Sequence, residues 1–552
     1  MPSPSFVVVT HAPAMNYRRD YVSLPRDFGT PAYEGRADIQ AIRAAVKQNL
    51  DLLEEKTHFL EKVRGKKVVI KPNLVSVWHE AGLKDDNYPE STDPRVMEAV
   101  VIYMKQYTDR IVIVESAGRG YPTTGAFKVA GLDRLARRYG VELIALEEQA
   151  TDRYILPKAK VMKEIVVPRI FSEVARHEAF YISLPKMKTN LYTGVTLGFK
   201  NAMGTITYNL RQRNHTYAID QKLVDMLYLF RPDLVVIDGI VGGEGNCPAP
   251  VEPVDSRVII SGNQAVETDR VATRMMGFDP NCITLMKIAD EMGFNDPKVT
   301  VLGDTTPTKF RPADPSLQGD WMAKNFPNVH VYEGHSLKHT PKVDPTCPIC
   351  PTDTQAMENT CRGGCLATTR FAFDMLYYEG HGRDFEMNLI IGEGVKKGNT
   401  HIYYDAQGKP VDVEDILAQN KKTLAVGTCA GYLRGRVSHF ANGCMPYPNT
   451  PHMLVHQISG SMCRVMSPGN KFLLPLLVAT LRMCERRKAW YRKGVRLDVP
   501  IRLVDGIVEP PMEGVDTTQD YVAFPMPPLT PDEIRTLVKA ENRAVLATFL
   551  PE

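Results

Sequence analysis

The 552-residue chain has no long apolar run: its longest near the end, FLLPLLVATL at 472–481, is broken by Pro475 and falls far short of the ~20 residues a membrane-crossing helix needs. No membrane span is expected. Charge of one sign is not in excess either, with 67 Lys and Arg against 64 Asp and Glu and a net charge of +3, so composition gives no reason to expect a nucleic-acid partner. The start, MPSPSFVVVTHAPAMNYRRD, lacks a basic segment followed by a long apolar core and reads as a first strand instead of a secretory signal. A cytoplasmic location is expected. In a reducing compartment thiols stay free, so the ten cysteines are read for metal binding or catalysis before disulfides. Repeats and low-complexity tracts are missing as well.

What is there is ordinary globular material, 43% hydrophobic and 24% charged, in a chain too long for one core at roughly 100–200 residues per domain. Residues 1–302 alternate β-branched runs with amphipathic stretches, which predicts an α/β fold with a mostly parallel sheet and flanking helices. The runs are KVVIK (67–71), RIVIVES (110–116), AFYISLP (179–185), LVVID (234–238) and RVIIS (257–261). After 93, Val96, Met97, Val100, Val101 and Met104 share one helical face, with Asp93 as cap before Pro94. Residues 303–346, Pro-rich and without periodicity, read as a connection. Residues 347–466 then read as a smaller cysteine-bearing α/β domain, and 467–552 as a helical, then irregular, segment wrapping the body.

In open parallel sheets ligands bind beyond the carboxyl ends of strands, which singles out the polar residues that follow these runs. They are Lys71 and Asn73, Glu115 and Ser116, Lys186 and Lys188, and Asp238. The turn ESAGRGYPTTG offers Thr123 or Thr124 as cap of a helix near Gly125 and thus a weak phosphate-binding signal, its spacing matching no P-loop. Lys186, Lys188 and Lys200 stand among apolar residues in PKMKTNLYTGVTLGFKNAMG. They read either as a clamp for an anionic ligand or, for Lys186 and Lys188, as structural ion pairs with Glu115 or Asp238. His215 is an acid or base by type.

The motifs IKPNLV, STDP, ESAG, SLPKMKT, TLGFKNAMG, a following His, RPDLVVIDGIVGGEGNCP and NQAVETDRVATRMMG occur in this order over roughly 60–280. As a set they resemble the family catalogued as domain of unknown function 362. The resemblance implies an uncharacterised, mainly prokaryotic α/β domain often coupled to iron–sulfur segments. The matching positions are Lys71, Asn73, Thr92, Asp93, Glu115, Ser116, Lys186, Lys188, Lys200, Asn201, His215, Asp238 and Asp269. Of these, Lys186, Lys188, Lys200, His215, Glu115 and Asp238 are expected to be catalytic, and Lys71, Asn73, Ser116, Asn201 and Asp269 to bind cofactor. The chain departs from the family where QAVETD replaces a run more often like DPVALD, and in lacking the two-cluster ferredoxin run many relatives carry.

In its place stands C-x2-C-x10-C-x3-C, at Cys347, Cys350, Cys361 and Cys365, and four thiolates suit either zinc or a [4Fe–4S] cluster. Cys429, ending the strand-like TLAVGT, and Cys444, in a turn-rich loop, extend the ligand set beyond what one structural zinc needs. An iron–sulfur cluster is therefore expected, with zinc as the alternative. Cys247 reads as a packed thiol or a reactive one, and Cys282, Cys463 and Cys484 as core. His452 and His456, spaced i and i+4, accompany His439 and suggest a second metal or an acid–base role. The expected function is an iron–sulfur redox enzyme acting on an anionic small molecule, with an electron-donor protein as partner. The alternatives are a zinc-clasped binding or scaffold protein, and a Lys/His isomerase or transferase with a structural cluster.

Overall fold

The β-branched runs all become strands. The computed structural model describes residues 4–17, 22–75, 89–118, 122–207, 210–211, 215, 218–334, 362–381, 383–443, 446, 449–462, 473–497 and 512–549. In chain order the strands are β1 (Phe6–His11), β2 (Lys67–Pro72), β3 (Ile111–Glu115), β4 (Glu142–Ala145), β5 (Thr151–Ile155), β6 (Glu164–Pro168), β7 (Ala179–Leu184), β8 (Lys186–Asn190), β9 (Gly194–Thr196), β10 (Leu234–Glu244), β11 (Glu252–Val254), β12 (Val258–Gly262) and β13 (Thr300–Gly303). Apart from β5 and β6 they form an 11-stranded sheet whose main path runs β13-β1-β12-β10-β7-β2-β3-β4. From β10 through β7, β2 and β3 to β4 every pairing is parallel, and β12 alone on the path runs against its neighbours. The predicted mostly parallel sheet is thus present.

Both faces are covered, which is why the strands read as continuous apolar runs instead of alternating ones. Val69, Tyr181 and Ile237 enter the core on one face. Val68, Ile70, Phe180, Ile182 and Val236 enter the core on the other, where α1 (Ala37–Thr57) and α2 (Pro94–Lys105) pack. α2 begins as predicted: Pro94 fills its first turn, the Asp93 carboxylate accepts from Arg95 N at 2.9 Å, and the whole predicted apolar face is buried. Further helices used below are α3 (Thr123–Val129), α4 (Ala265–Met275), α5 (Ala367–Tyr378), α6 (Asn449–Ser459), α7 (Leu473–Arg492) and α8 (Pro531–Phe549).

The segment read as a connection holds more than that. Its described part contains a short helix, Asp320–Asn325, and strand β14 (Val329–Glu333), which lies inside a second sheet. With β15 (Met387–Ile391), β16 (Val395–Lys397), β17 (Thr400–Tyr404), β18 (Pro410–Asp412), β19 (Thr423–Val426) and β20 (His439–Ala441), that sheet runs β16-β17-β14-β15-β19-β20, with β18 on β17. β14, β15, β19 and β20 are parallel. Five residues, VHVYE, are too short an alternation to stand out from the surrounding prolines; burial of Val331 and Tyr332 against neighbours fixes the strand.

α5 joins the two sheets. Ala367, Phe371 and Met375 belong to the first sheet's core, whereas Ala372, Phe373 and Leu376 belong to the second's. In the tail, β21 (Val522–Phe524) pairs antiparallel with β5, and α8 packs on α7, where buried Arg487 donates to Glu541 Oε1 at 2.7 Å. No helix among the described residues is long and apolar enough to cross a membrane.

A buried guanidinium fixes α2 to the sheet's edge of loops. Arg95 lies 2.7 Å from Asp93 Oδ2 and 3.0 Å from Asp38 Oδ2, and all three side chains are buried. Removing one member of a buried pair leaves an uncompensated charge. Arg95→Met is expected to lower the free energy of unfolding by about 3–5 kcal/mol in denaturant titration, and Arg95→Met/Asp93→Asn to lose less than Arg95→Met alone. A double variant that loses the sum of both single effects would show that the pair is not coupled.

Candidate functional site

Lys71 and Glu115 stand at the carboxyl ends of β2 and β3, as the parallel-sheet rule suggests, whereas Lys186 and Lys188 lie on β8 just after β7 and Asp238 lies within β10. Lys71 at the end of β2 faces Glu115 at the end of β3, its Nζ 2.9 and 3.1 Å from the two carboxylate oxygens. It also donates to Asn201 Oδ1 and to the carbonyl of Pro72, both at 2.8 Å. Glu115 accepts in addition from Leu74 N at 2.9 Å and Ser116 N at 2.8 Å. Burial pushes the Lys71 amine below its ordinary pKa, and Glu115 works against that shift. The backbone at Gly204 sits directly on this pair: a Cβ there would lie 2.6 Å from both Glu115 Oε1 and Lys71 Nζ.

A second buried pair stands on β8 and β10. Lys186 Nζ lies 2.6 Å from Asp238 Oδ2 and donates to the carbonyl of Val241 at 3.1 Å. Asp238 Oδ2 accepts from Asp93 N at 2.7 Å, tying α2's cap to the pair, and burial raises its carboxyl above the usual range. Of the ion pairs read from sequence, Lys186 takes Asp238, while Glu115 is taken by Lys71 and not by a β8 lysine. Lys188, two residues along β8 and on the same side, donates to the backbone carbonyl of Glu90; burial lowers its pKa to about 8.

Asp269, expected to bind cofactor, is bonded within the fold. Its carboxylate accepts from Gly198 N at 2.8 Å and Phe199 N at 2.7 Å, fastening the short helical turn Gly198–Asn201 to α4, and burial raises its pKa to about 7. That turn carries Asn201 onto Lys71 and presents Lys200. The Lys200 amine is half-buried and has no hydrogen bond or ion pair among the described residues. Burial first, then the fields of Lys188 and Arg211, lower its pKa to about 7. Burial and the fields of Lys200 and Arg211 also hold the His215 imidazole neutral, well below its ordinary pKa, with its ring edge-on to Tyr192 at 4.2 Å. Arg211, which sequence reading passed over, donates to the carbonyls of Ser116 and, at 2.9 Å, Ala117; its position four before His215 in RQRNH was the available signal.

Among the described residues, three of the predicted ones carry buried polar atoms without a hydrogen-bond partner: Asn73 Oδ1, Ser116 Oγ and His215 Nδ1. Such atoms are rare unless a ligand or water completes them. The turn after β3, by contrast, is not a phosphate site. Thr123 is inside α3, not its cap, and its N–H and hydroxyl donate to the Glu147 carboxylate at 2.7 and 2.9 Å, so the anion at this helix end is the chain's own.

Of the expected metal ligands, Cys347, Cys350, Cys361 and Cys444 lie outside the described residues, as does Cys463. Cys365 lies within a single π-helical turn, Arg362–Leu366, that leads into α5, and Cys429 follows β19. Their sulfurs face one spot: a Cβ on Gly427 would lie 3.1 Å from Cys365 Sγ and 3.4 Å from Cys429 Sγ, with Gly392 Cα 3.9 Å away. Gly392 and Gly427 end β15 and β19, so this spot is the carboxyl-end crevice of the second sheet. Two converging thiols there fit a sulfur-ligated zinc or iron–sulfur cluster. Cys247 is fully buried with its thiol pushed up to about 12, the packed reading. Cys484 is core, whereas Cys282, on a surface turn, is only partly covered.

Lys200 generates a direct expectation. The unfolded amine keeps its proton up to about 10.5 and the folded one releases it near 7, so the unfolded chain binds more protons between these values and stability rises with pH across that window. Lys200→Met is therefore expected to stabilise most below pH 7, the gain fading toward pH 10.5, in melting curves taken across pH. At pH 8 an amine-acylating reagent should mark Lys200 ahead of ordinary surface lysines in peptide mapping. Slower labelling than the surface lysines would contradict the shift.

Residues 68–274 match the model of the family described as Domain of unknown function (DUF362). A thylakoid-associated protein of Synechocystis is 24% identical over 242 residues, covering 42% of this chain and 69% of the relative. The matched segment opens on β2 and closes within α4, and so takes in Lys71, Glu115, Lys186, Lys188, Lys200, His215, Asp238 and Asp269 while leaving the cysteine crevice outside. Through residues 68–274 the chain is similar to the family of domain of unknown function 362.

Proposed function

We propose that the protein is an iron–sulfur redox enzyme acting on an anionic small molecule, with the anion held at the lysine site and the cluster held by Cys365 and Cys429 together with cysteines outside the described residues. The observation that carries the reading is the convergence of two thiols at the carboxyl-end crevice of a parallel sheet. A bound cluster would supply single electrons. The chain's own residues do the rest: the unmatched Lys200 amine attracts the anion and, with a pKa near 7, gives or takes a proton at neutral pH. Asn73, Ser116 and His215 offer the unpartnered polar atoms that orient it. The two buried ion pairs keep Lys71 and Lys186 engaged and Lys188 donates to a carbonyl, whereas Lys200 has no partner among the described residues. α5 begins next to Cys365 and packs on the same core cluster as Met187, Tyr192 and Phe199, residues that flank the lysine site. An electron-donor protein and a cytoplasmic location are part of this proposal.

The test is anaerobic purification followed by iron, zinc and acid-labile sulfide analysis. Iron with sulfide, reduced at least twofold in Cys429→Ala, is the expected result. Stoichiometric zinc without sulfide assigns the crevice to a zinc clasp, and absence of both metals sinks the proposal. Inorganic phosphate is the anion probe: it is expected to slow acylation of Lys200 in wild type, and an unchanged labelling rate would count against the anion site.

A further inference from the structure

Away from Cys365 and Cys429, at the far end of α5, three imidazoles surround one carboxylate. Glu379 caps α5, His381 follows on the turn, and His452 and His456 project from one face of α6, which packs against α5. Glu379 Oε1 lies 3.3 Å from His452 Nε2, and Glu379 Oε2 lies 3.1 Å from His456 Nε2 and 3.3 Å from His381 Nε2. The Nε2 atoms of His452 and His456 are 3.1 Å apart. Ligand atoms from Glu379, His381 and His456 all fall within 4.8 Å of one another. His439, on β20, is not part of this group and meets Ser438 Oγ at 3.2 Å.

We propose that Glu379, His381, His452 and His456 bind one divalent first-row transition-metal ion of the zinc class. A tetrahedral ion with bonds of about 2.0–2.1 Å sets its ligand atoms about 3.3 Å apart, and the contacts around Glu379 are 3.1–3.3 Å. Two independent details support an ion at the centre. His381 Nε2 is buried and makes no hydrogen bond among the described residues although it lies 3.3 Å from the carboxylate. His456 Nδ1 meets Ser461 Oγ at 2.7 Å, the contact that fixes a ligating imidazole with its other nitrogen toward the metal. Three nitrogens and one carboxylate select against Mg²⁺ and Ca²⁺, which take oxygen, and four protein ligands make a closed, structural site that would clasp α5 to α6. Cys365 and Glu379 are separated by the length of α5, on the order of 20 Å, so the site is distinct from the cysteine crevice.

The experiment uses the full chain, stripped with a chelator under anaerobic conditions and titrated with Co²⁺ and Zn²⁺. Wild type is expected to bind one Co²⁺ per chain more than His456→Gln, the difference spectrum showing visible d–d bands without a near-ultraviolet thiolate band. His381→Gln, on a partly exposed turn, carries the same test should His456→Gln not fold by circular dichroism. Ser461→Ala is expected to weaken binding about 10- to 100-fold. Equal metal content in wild type and the folded histidine variants, or a thiolate band in the difference spectrum, would overturn the proposal and leave a hydrogen-bonded histidine cluster.

Discussion

Two ammonium groups without water, those of Lys71 and Lys186, set the terms for everything around them. Taking an ion out of water costs several kcal/mol, and the attraction of a carboxylate offsets this only when hydrogen bonds complete both partners. Lys71 is met by Glu115, Asn201 and a carbonyl; Lys186 by Asp238 and a carbonyl. Around those partners the backbone at Gly204 leaves no room for a side chain, and Asp269 anchors the turn Gly198–Asn201 that carries Asn201 onto Lys71. Lys200 then stands out because the same accounting leaves it unmatched.

The first sheet was legible in the sequence because burial on both faces writes itself as uninterrupted β-branched runs, from KVVIK to RVIIS, and because ligands gather at parallel carboxyl ends. Nearly every polar residue selected on that rule is at the site. The roles were less legible. That Asp269 caps a turn, that Glu115 serves Lys71, and that Glu147 occupies the helix end after β3 are matters of three-dimensional pairing, with partners 70, 44 and 24 residues apart. β14 was missed because five residues of alternation carry little signal until neighbouring strands bury them. Glu379 and His381 were missed because a lone acid and a lone histidine after a helix mean nothing until α6 brings His452 and His456 to them.

The sulfur pair at Gly427 and the imidazole group around Glu379 stand at opposite ends of α5. One residue of each group, Cys365 just before α5 and Glu379 at its C-cap, is thus positioned by a single rigid element. Placement on a helix holds ligand positions more tightly than placement on loops.

That helix has a consequence for cooperativity. α5 has no solvent-facing apolar-free side: Ala367, Phe371 and Met375 need the first sheet, and Ala372, Phe373 and Leu376 need the second. Neither sheet can come undone without exposing half of a helix that water does not tolerate. A chain that reads along its length as two units with a Pro-rich seam is thereby made to unfold as one.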